Sequence, residues 1–98
     1  MNFTKANPMQ VFGTGLVGYV YTTYEELVKT FGEPITYGEF DSDGKVSVEW
    51  VIAFEDGTIA TVYDWKQYEL GTPKGGYDWH IGGKDDNAVE LVKDALGL

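Results

Sequence analysis

Residues 46–65 read VSVEWVIAFEDGTIATVYDW, and this stretch decides the fold. Large apolar residues occupy every second position from Val46 to Phe54, which is the period of a β-strand with one buried face. Asp56-Gly57 is a dipeptide that two-residue type I′ hairpin turns favour. We therefore predict that Thr58–Trp65 returns as the neighbouring antiparallel strand.

A two-residue loop would fix which residues face each other across this hairpin. On one face the predicted partners form an aromatic stripe: Phe54 with Ile59, Ile52 with Thr61, Trp50 with Tyr63, and Val48 with Trp65. The other face would bring Glu49 opposite Asp64. Like charges in that position destabilise a sheet, so we expect this end to be a solvated acidic edge.

Helix signals lie on both sides of the hairpin. Thr23 followed by Glu26 forms a capping box, and the apolar positions after it predict a helix over Tyr24–Phe31. Asp85 or Asp86 can cap a second helix near the C-terminus. The apolar stripe of that helix consists of Ala88, Leu91, Val92 and Ala95.

Strand signals complete the predicted architecture. Leu16–Tyr21 and Tyr77–Ile81 are short segments rich in β-branched and aromatic residues. We predict an α+β fold: a small antiparallel sheet of three to four strands, in the order β-α-β-β-β-α, with two helices packed on one face. Residues 16–98 would form a single domain, and residues 1–15 would form an irregular N-terminal extension.

The composition restricts the class of partner. The chain has 98 residues, 16 acids, seven lysines and no arginine, giving a net charge of −9. Binding to nucleic-acid phosphates requires clustered cations, so we expect no direct nucleic-acid binding. The sequence contains no long apolar run and no cysteine, and no basic, apolar leader begins it. We expect a cytoplasmic protein that does not bind membranes.

Much of the negative charge lies in the middle of the chain. Between residues 39 and 64, seven acids accompany one lysine and contribute −6 of the net charge. The predicted acidic patch consists of Glu39, Asp41, Asp43, Glu49, Glu55, Asp56 and Asp64. Such a patch can steer a basic partner, imitate a nucleic-acid backbone, or keep a small protein soluble.

One four-residue pattern occurs twice, as Tyr63-Asp64-Trp65-Lys66 and Tyr77-Asp78-Trp79-His80. Each copy joins two aromatic rings to a carboxylate and a basic or imidazole group, which is typical of recognition surfaces and also of cores. The predicted partner-binding residues are Trp50, Tyr63, Trp65, Tyr77, Trp79 and His80. The glycine-rich loop Gln67–Gly76 would lie beside them.

No arrangement of residues indicates catalysis. His80 is the only histidine, and no cysteine or nearby serine accompanies it as a nucleophile. The pattern G-x-G-x-x-G occurs at residues 13–18, but a strand rather than a helix follows it, which argues against a dinucleotide site. We predict no enzyme activity, no metal site and no cofactor.

Four segments resemble small accessory proteins encoded by tailed bacteriophages. They are residues 24–34 (YEELVKTFGEP), 43–50 (DGKVSVEW), 54–66 (FEDGTIATVYDWK) and 79–83 (WHIGG), and the likeness covers about residues 22–98. The resemblance implies a phage origin and a host-directed role rather than a particular reaction. Small acidic phage proteins of this kind often bind and disable or redirect a host protein, including defence factors.

The leading hypothesis is therefore a non-enzymatic phage protein that binds a host protein through its aromatic and acidic surface. A first alternative is an acidic mimic of nucleic acid. A second is a small-molecule-binding or sequestering protein whose pocket is lined by the two Tyr-Asp-Trp copies. An exposed strand at the edge of the sheet would also allow two copies to pair as a homodimer.

Overall fold

The computed structural model describes residues 2–6, 13–36, 46–65 and 75–98. In chain order the elements are β1 (Phe3–Lys5), β2 (Gly15–Thr22), α1 (Tyr24–Phe31), β3 (Ile35–Thr36), β4 (Val48–Phe54), β5 (Ile59–Tyr63), β6 (Tyr77–Gly83) and α2 (Asn87–Leu96). The strands form one antiparallel sheet in the order β1-β4-β5-β6-β2, and β3 also pairs with β4. Strands β1 and β3 thus share one edge of the sheet.

The α+β class is observed, but the predicted strand number and order are wrong. Six strands occur in the described residues. The sequence did not predict β1 and β3, because they are three and two residues long, too short to show a period. Strand β1 lies inside the segment that was predicted to be irregular, and its Phe3 packs edge-on against Phe31 and Phe54 at ring-centroid distances of 5.1 and 5.8 Å. Residues 7–12 lie outside the described residues.

The predicted hairpin exists, but its register is shifted by one residue. The Phe54 N–H donates to the Thr58 carbonyl oxygen over 2.9 Å, and the Gly57 N–H donates to the Phe54 carbonyl oxygen over 2.9 Å. The loop therefore has three residues, closed by Gly57 at a φ of +91°. This shift pairs Trp50 with Val62 and Glu49 with Tyr63, so the predicted aromatic stripe and the Glu49–Asp64 pair do not form.

Both helices pack on one face of the sheet, as predicted, and enclose the core with it. Helix α1 has the predicted bounds, and the Thr23 hydroxyl oxygen accepts a hydrogen bond from the Glu26 N–H over 3.1 Å. The buried members of the helices and of the facing strands form one cluster: Val20, Leu27, Phe31, Val48, Trp50, Ile52, Phe54, Ala60, Val62, Trp79, Ile81, Ala88, Leu91 and Val92.

Helix α2 follows the predicted stripe, with Ala88, Leu91 and Val92 buried. Its N-terminus is held by Asp85, whose carboxylate accepts from the Asn87 N–H over 2.9 Å. Neither helix in the described ranges has the length and apolar character needed to cross a membrane.

Candidate protein-binding face

The sheet face opposite α1 and α2 is called the helix-free face below. Strand alternation determines which side chains belong to this face, because the residues between the buried core positions point to the other side of the sheet. One row crosses four neighbouring strands: Glu49 pairs with Tyr63, Tyr63 with His80, and His80 with Tyr19. Sequence positions far apart are thereby brought side by side in a single line.

Aromatic rings surround His80 within this row. The centroid of its imidazole ring lies 4.9 Å from that of Tyr19, 5.4 Å from Tyr63 and 6.1 Å from Trp65. Tyr63 and Trp65 also contact each other at 6.4 Å and stand nearly perpendicular, at 70°. These four residues form a continuous aromatic cluster on the helix-free face.

Exposed apolar surface concentrates on the same face. Five large hydrophobic side chains are exposed in the described residues, and four of them belong to this face: Leu16 (51%), Tyr19 (50%), Tyr21 (68%) and Trp65 (38%). The fifth, Leu98, is at the chain end. In the middle of the face, Val51 and Thr61 are each only 3% exposed. The exposed large apolar side chains of the face therefore lie at the end that carries the aromatic cluster.

A depression of about 220 Å³ lies beside the cluster. The residues that line it come from four parts of the fold: Thr14, Gly15, Val46, Glu49, Thr61, Tyr63, Trp65 and Gly82. Glycine at position 82 keeps it open, because a Cβ there would lie 2.4 Å from the Thr61 hydroxyl oxygen and 3.5 Å from the Tyr63 ring. The depression thus combines two aromatic rings, one carboxylate and three hydroxyl groups, those of Thr14, Thr61 and Tyr63.

Burial and charge set the ionisation of the cluster. The pKa of Tyr63 is raised above its ordinary value by burial first, then by the negative charge of Glu49 and by Tyr19. The pKa of His80 is lowered by burial, against the charges of Asp64 and Asp78, which raise it. Its Nδ1 atom is buried and makes no hydrogen bond within the described residues. At neutral pH both rings are therefore uncharged.

Two of the predicted partner-binding residues belong to the core. Trp50 is 2% exposed and Trp79 is 0% exposed, and their rings pack edge-on with centroids 5.6 Å apart. Each indole N–H is satisfied internally: Trp50 donates to the Gly32 carbonyl oxygen over 2.7 Å, and Trp79 to the Thr22 carbonyl oxygen over 3.2 Å. They stabilise the interior and present no surface to a partner.

The two Tyr-Asp-Trp copies lie on adjacent strands in opposite phase. In the first copy Tyr63 and Trp65 point to the helix-free face, whereas in the second Trp79 points to the core and His80 to the helix-free face. Tyr77 packs on Trp79 at 5.3 Å, and its hydroxyl oxygen accepts from the Trp65 N–H over 3.3 Å. Identical residues therefore serve different purposes on the two strands.

The residues of the predicted acidic patch are also divided between the interior and the surface. Asp64 is fully buried, and its carboxylate accepts from the N–H groups of Ser47 and Val48 over 2.8 and 3.1 Å and from the Ser47 hydroxyl. Glu49 lies beside the aromatic cluster, while Glu55 and Asp56 are exposed in the hairpin loop. Glu39, Asp41, Asp43 and residues 67–74 of the predicted loop lie outside the described residues.

Three residues of the face were missed from the sequence: Leu16, Tyr19 and Tyr21, all on β2. The available signal was the order Tyr19-Val20-Tyr21, because two tyrosines that flank a buried valine in a strand must share the opposite face. The pairing of β2 with β6 is irregular between Leu16 and Gly18, so simple alternation does not predict which face Leu16 lies on.

Comparisons with known proteins do not assign the chain to a family. No family model matches the sequence, and neither a curated protein nor a solved structure is significantly similar to it. Among the described residues, no group of three or more histidines, cysteines and acids is placed to hold a metal ion. The resemblance to phage accessory proteins stays a prediction from the sequence.

Proposed function

We propose that the chain is a non-enzymatic phage accessory protein that binds a host protein through the helix-free face. The observation that carries this proposal is the grouping of Leu16, Tyr19, Tyr21 and Trp65 as exposed side chains on one face. Grouped apolar surface gains free energy when a partner covers it. Tyrosine and tryptophan are also among the residue types most enriched at the energetic centres of interfaces.

The proposed surface is a revision of the predicted one. It keeps Tyr63, Trp65 and His80, which the sheet brings together, and omits Trp50 and Trp79, which the core encloses. Strand β2 contributes the remaining exposed rings. The binding surface is thus assembled from three neighbouring strands, β5, β6 and β2, and from Trp65 after the end of β5.

The phage setting and the host partner come from the resemblance over residues 22–98. The net charge of −9 complements that setting, because a negative field speeds encounter with a basic partner and repels other anions. The structure favours imitation of nucleic acid less than the sequence did, because the buried Asp64 is not available to an outside partner.

The test is capture from a lysate of the bacterium that the phage infects, with tagged wild-type chain as bait. Trp65→Ala removes the exposed indole, and Leu98→Ala is a matched control that removes an exposed apolar side chain away from the face. We expect one host protein, identified by mass spectrometry, to be retained by the wild type and by Leu98→Ala and lost with Trp65→Ala.

Capture at low and high salt separates the aromatic contribution from the charge contribution. A surface that binds mainly through its rings retains most of the partner at high salt, whereas a nucleic-acid mimic loses it steeply. Equal capture by all three baits would contradict the proposed face. No captured protein at either salt would contradict a host partner and favour the small-molecule alternative.

A further inference from the structure

We infer that the outer edge of β2 pairs with β2 of a second copy of the chain, so that two sheets join as one continuous antiparallel sheet. This inference goes beyond the proposed function and does not depend on it, because it concerns the backbone at the edge of the sheet. Three observations carry it: the position of β2, its lack of charge, and the contrast with the opposite edge.

Strand β2 lies at one edge of the sheet. It pairs with β6 on one side, and no other strand of the described ranges pairs with it on the other side. In an antiparallel ladder, every second residue directs both its N–H and its C=O away from the neighbouring strand. With eight residues, Gly15–Thr22, β2 is also the longest strand that the structure describes. It therefore offers a long backbone template to another strand.

The composition of the two edges differs. Strand β2 reads GLVGYVYT and contains neither a charged residue nor a proline, although 23% of the chain is charged. Proteins usually prevent strand addition with very short edge strands, lysine and proline. The opposite edge has these features, since β1 and β3 are three and two residues long, Lys5 is exposed in β1, and Pro34 precedes β3. Only the β2 edge is left without them.

The lack of charge favours a second copy as the occupant of this edge. A two-fold axis places the same patch of both copies in contact, so any charge near the axis would meet a charge of its own sign. Like charges directly opposite each other destabilise paired strands. Strand β2 avoids this repulsion entirely, in a chain whose net charge is −9.

The side chains indicate the register of the joined strands. After an irregularity near its start, β2 pairs regularly with β6 from Gly18 to Thr22, and Val20 is the middle residue of this segment. An axis at Val20 pairs the whole segment with itself and places Tyr19 of each copy opposite Tyr21 of the other. Both tyrosines are exposed, at 50% and 68%, and aromatic cross-strand pairs stabilise a sheet. The two helix-free faces would then form one surface.

The first test is sedimentation velocity of the full-length wild-type chain over a range of concentrations at low and high salt. A single edge strand makes a small interface, so we expect weak association, with a mass that rises from 10.9 kDa toward twice that value between about 10 and 500 µM. High salt should strengthen the association, because it screens the repulsion between two chains of charge −9.

Two variants that add the same charge locate the contact. Tyr21→Lys places a lysine beside the two-fold axis, and Leu98→Lys places one at an exposed apolar position at the chain end; the replaced side chains are 68% and 65% exposed. We expect Tyr21→Lys to weaken dimerisation about fivefold or more, because two tyrosine pairs are lost and the two lysines repel each other. Leu98→Lys should stay within about twofold of the wild type. Circular dichroism shows that both variants are folded.

The wild type also reports the register without any substitution. In a mixture of ¹³C,¹⁵N-labelled and unlabelled chains, we expect intermolecular nuclear Overhauser effects between the Tyr19 ring of one copy and the Tyr21 ring of the other. A monomer at every concentration and salt, equal dimerisation of the two lysine variants, or a dimer without these contacts would overturn the inference. None of these results bears on whether the helix-free face captures a host protein.

Discussion

Asp64 is fully buried, and its carboxylate accepts hydrogen bonds from two backbone N–H groups, those of Ser47 and Val48, at the point where the chain enters β4. Asp64→Asn keeps the size but replaces one acceptor oxygen with a donor that would face other donors. We expect the free energy of unfolding to fall by about 2–4 kcal/mol, because buried donors lose a charged acceptor. Urea denaturation measures the change.

The exposed Glu55 provides the control for that experiment. Glu55→Gln removes the same charge in the hairpin loop and should change the free energy of unfolding by less than about 0.5 kcal/mol. Equal stability of Asp64→Asn and Glu55→Gln would contradict the interior position of Asp64.

His80 should make stability depend on pH in the range where other side chains do not titrate. Burial lowers its pKa below the ordinary value of 6.5, so the unfolded chain takes up a proton at a higher pH than the folded chain does. The contribution of His80 to the free energy of unfolding is therefore fully present above about pH 6.5 and is lost as the pH falls toward the lower pKa of the folded chain. We expect Tm to fall between about pH 7.5 and pH 5.5 in the wild type and to fall less in His80→Gln. An identical decline in both proteins would show that His80 titrates normally.

At the scale of the element, Gly57 closes the three-residue loop of the β4–β5 hairpin. Its φ of +91° is a left-handed conformation that residues with a Cβ rarely adopt, and an added Cβ would meet no atom within 4 Å. Gly57→Ala therefore isolates the backbone cost, which we expect to be about 1–2 kcal/mol of the free energy of unfolding by urea denaturation. Gly15→Ala is the matched control, because Gly15 also has open space but no positive φ. Equal effects would contradict the left-handed conformation of Gly57.

The same hairpin shows how far the sequence could predict this fold. The alternation before Asp56-Gly57 and the residues after it predicted both strands, because two-residue periodicity is a strong local signal. The loop length was not determined, since the same dipeptide can end a two-residue loop or close a three-residue one. That single residue moved Trp50 and Tyr63 to opposite faces and brought Glu49 to Tyr63 instead of Asp64.

Helix α1 was predicted from the sequence, whereas the two shortest strands, β1 and β3, were not. The capping box at Thr23 and the stop at Gly32 are contained in a few neighbouring residues, so the bounds of α1 were predicted correctly. Strands β1 and β3 exist because their backbones pair with β4, which lies more than ten residues away in the sequence. Local sequence patterns cannot predict such long-range pairing.

At the scale of the whole molecule, the sheet divides its aromatic residues between two faces. Trp50 and Trp79 join the two helices in a closed core, and Tyr19, Tyr63, Trp65 and His80 form a second cluster on the helix-free face. Composition could not predict this division, because tryptophan and tyrosine suit cores and interfaces equally well. Only the register and the topology determine which ring lies on which side.

The central claim is that the helix-free face, and not the acidic surface alone, binds the partner. The most direct test is isothermal titration of the purified, captured host protein with wild type, with Trp65→Ala and with Leu98→Ala, after circular dichroism has shown that all three are folded. The account predicts that Trp65→Ala weakens binding about tenfold or more, equivalent to at least about 1.4 kcal/mol, and that Leu98→Ala binds like the wild type. Equal affinity of the three folded proteins would contradict it.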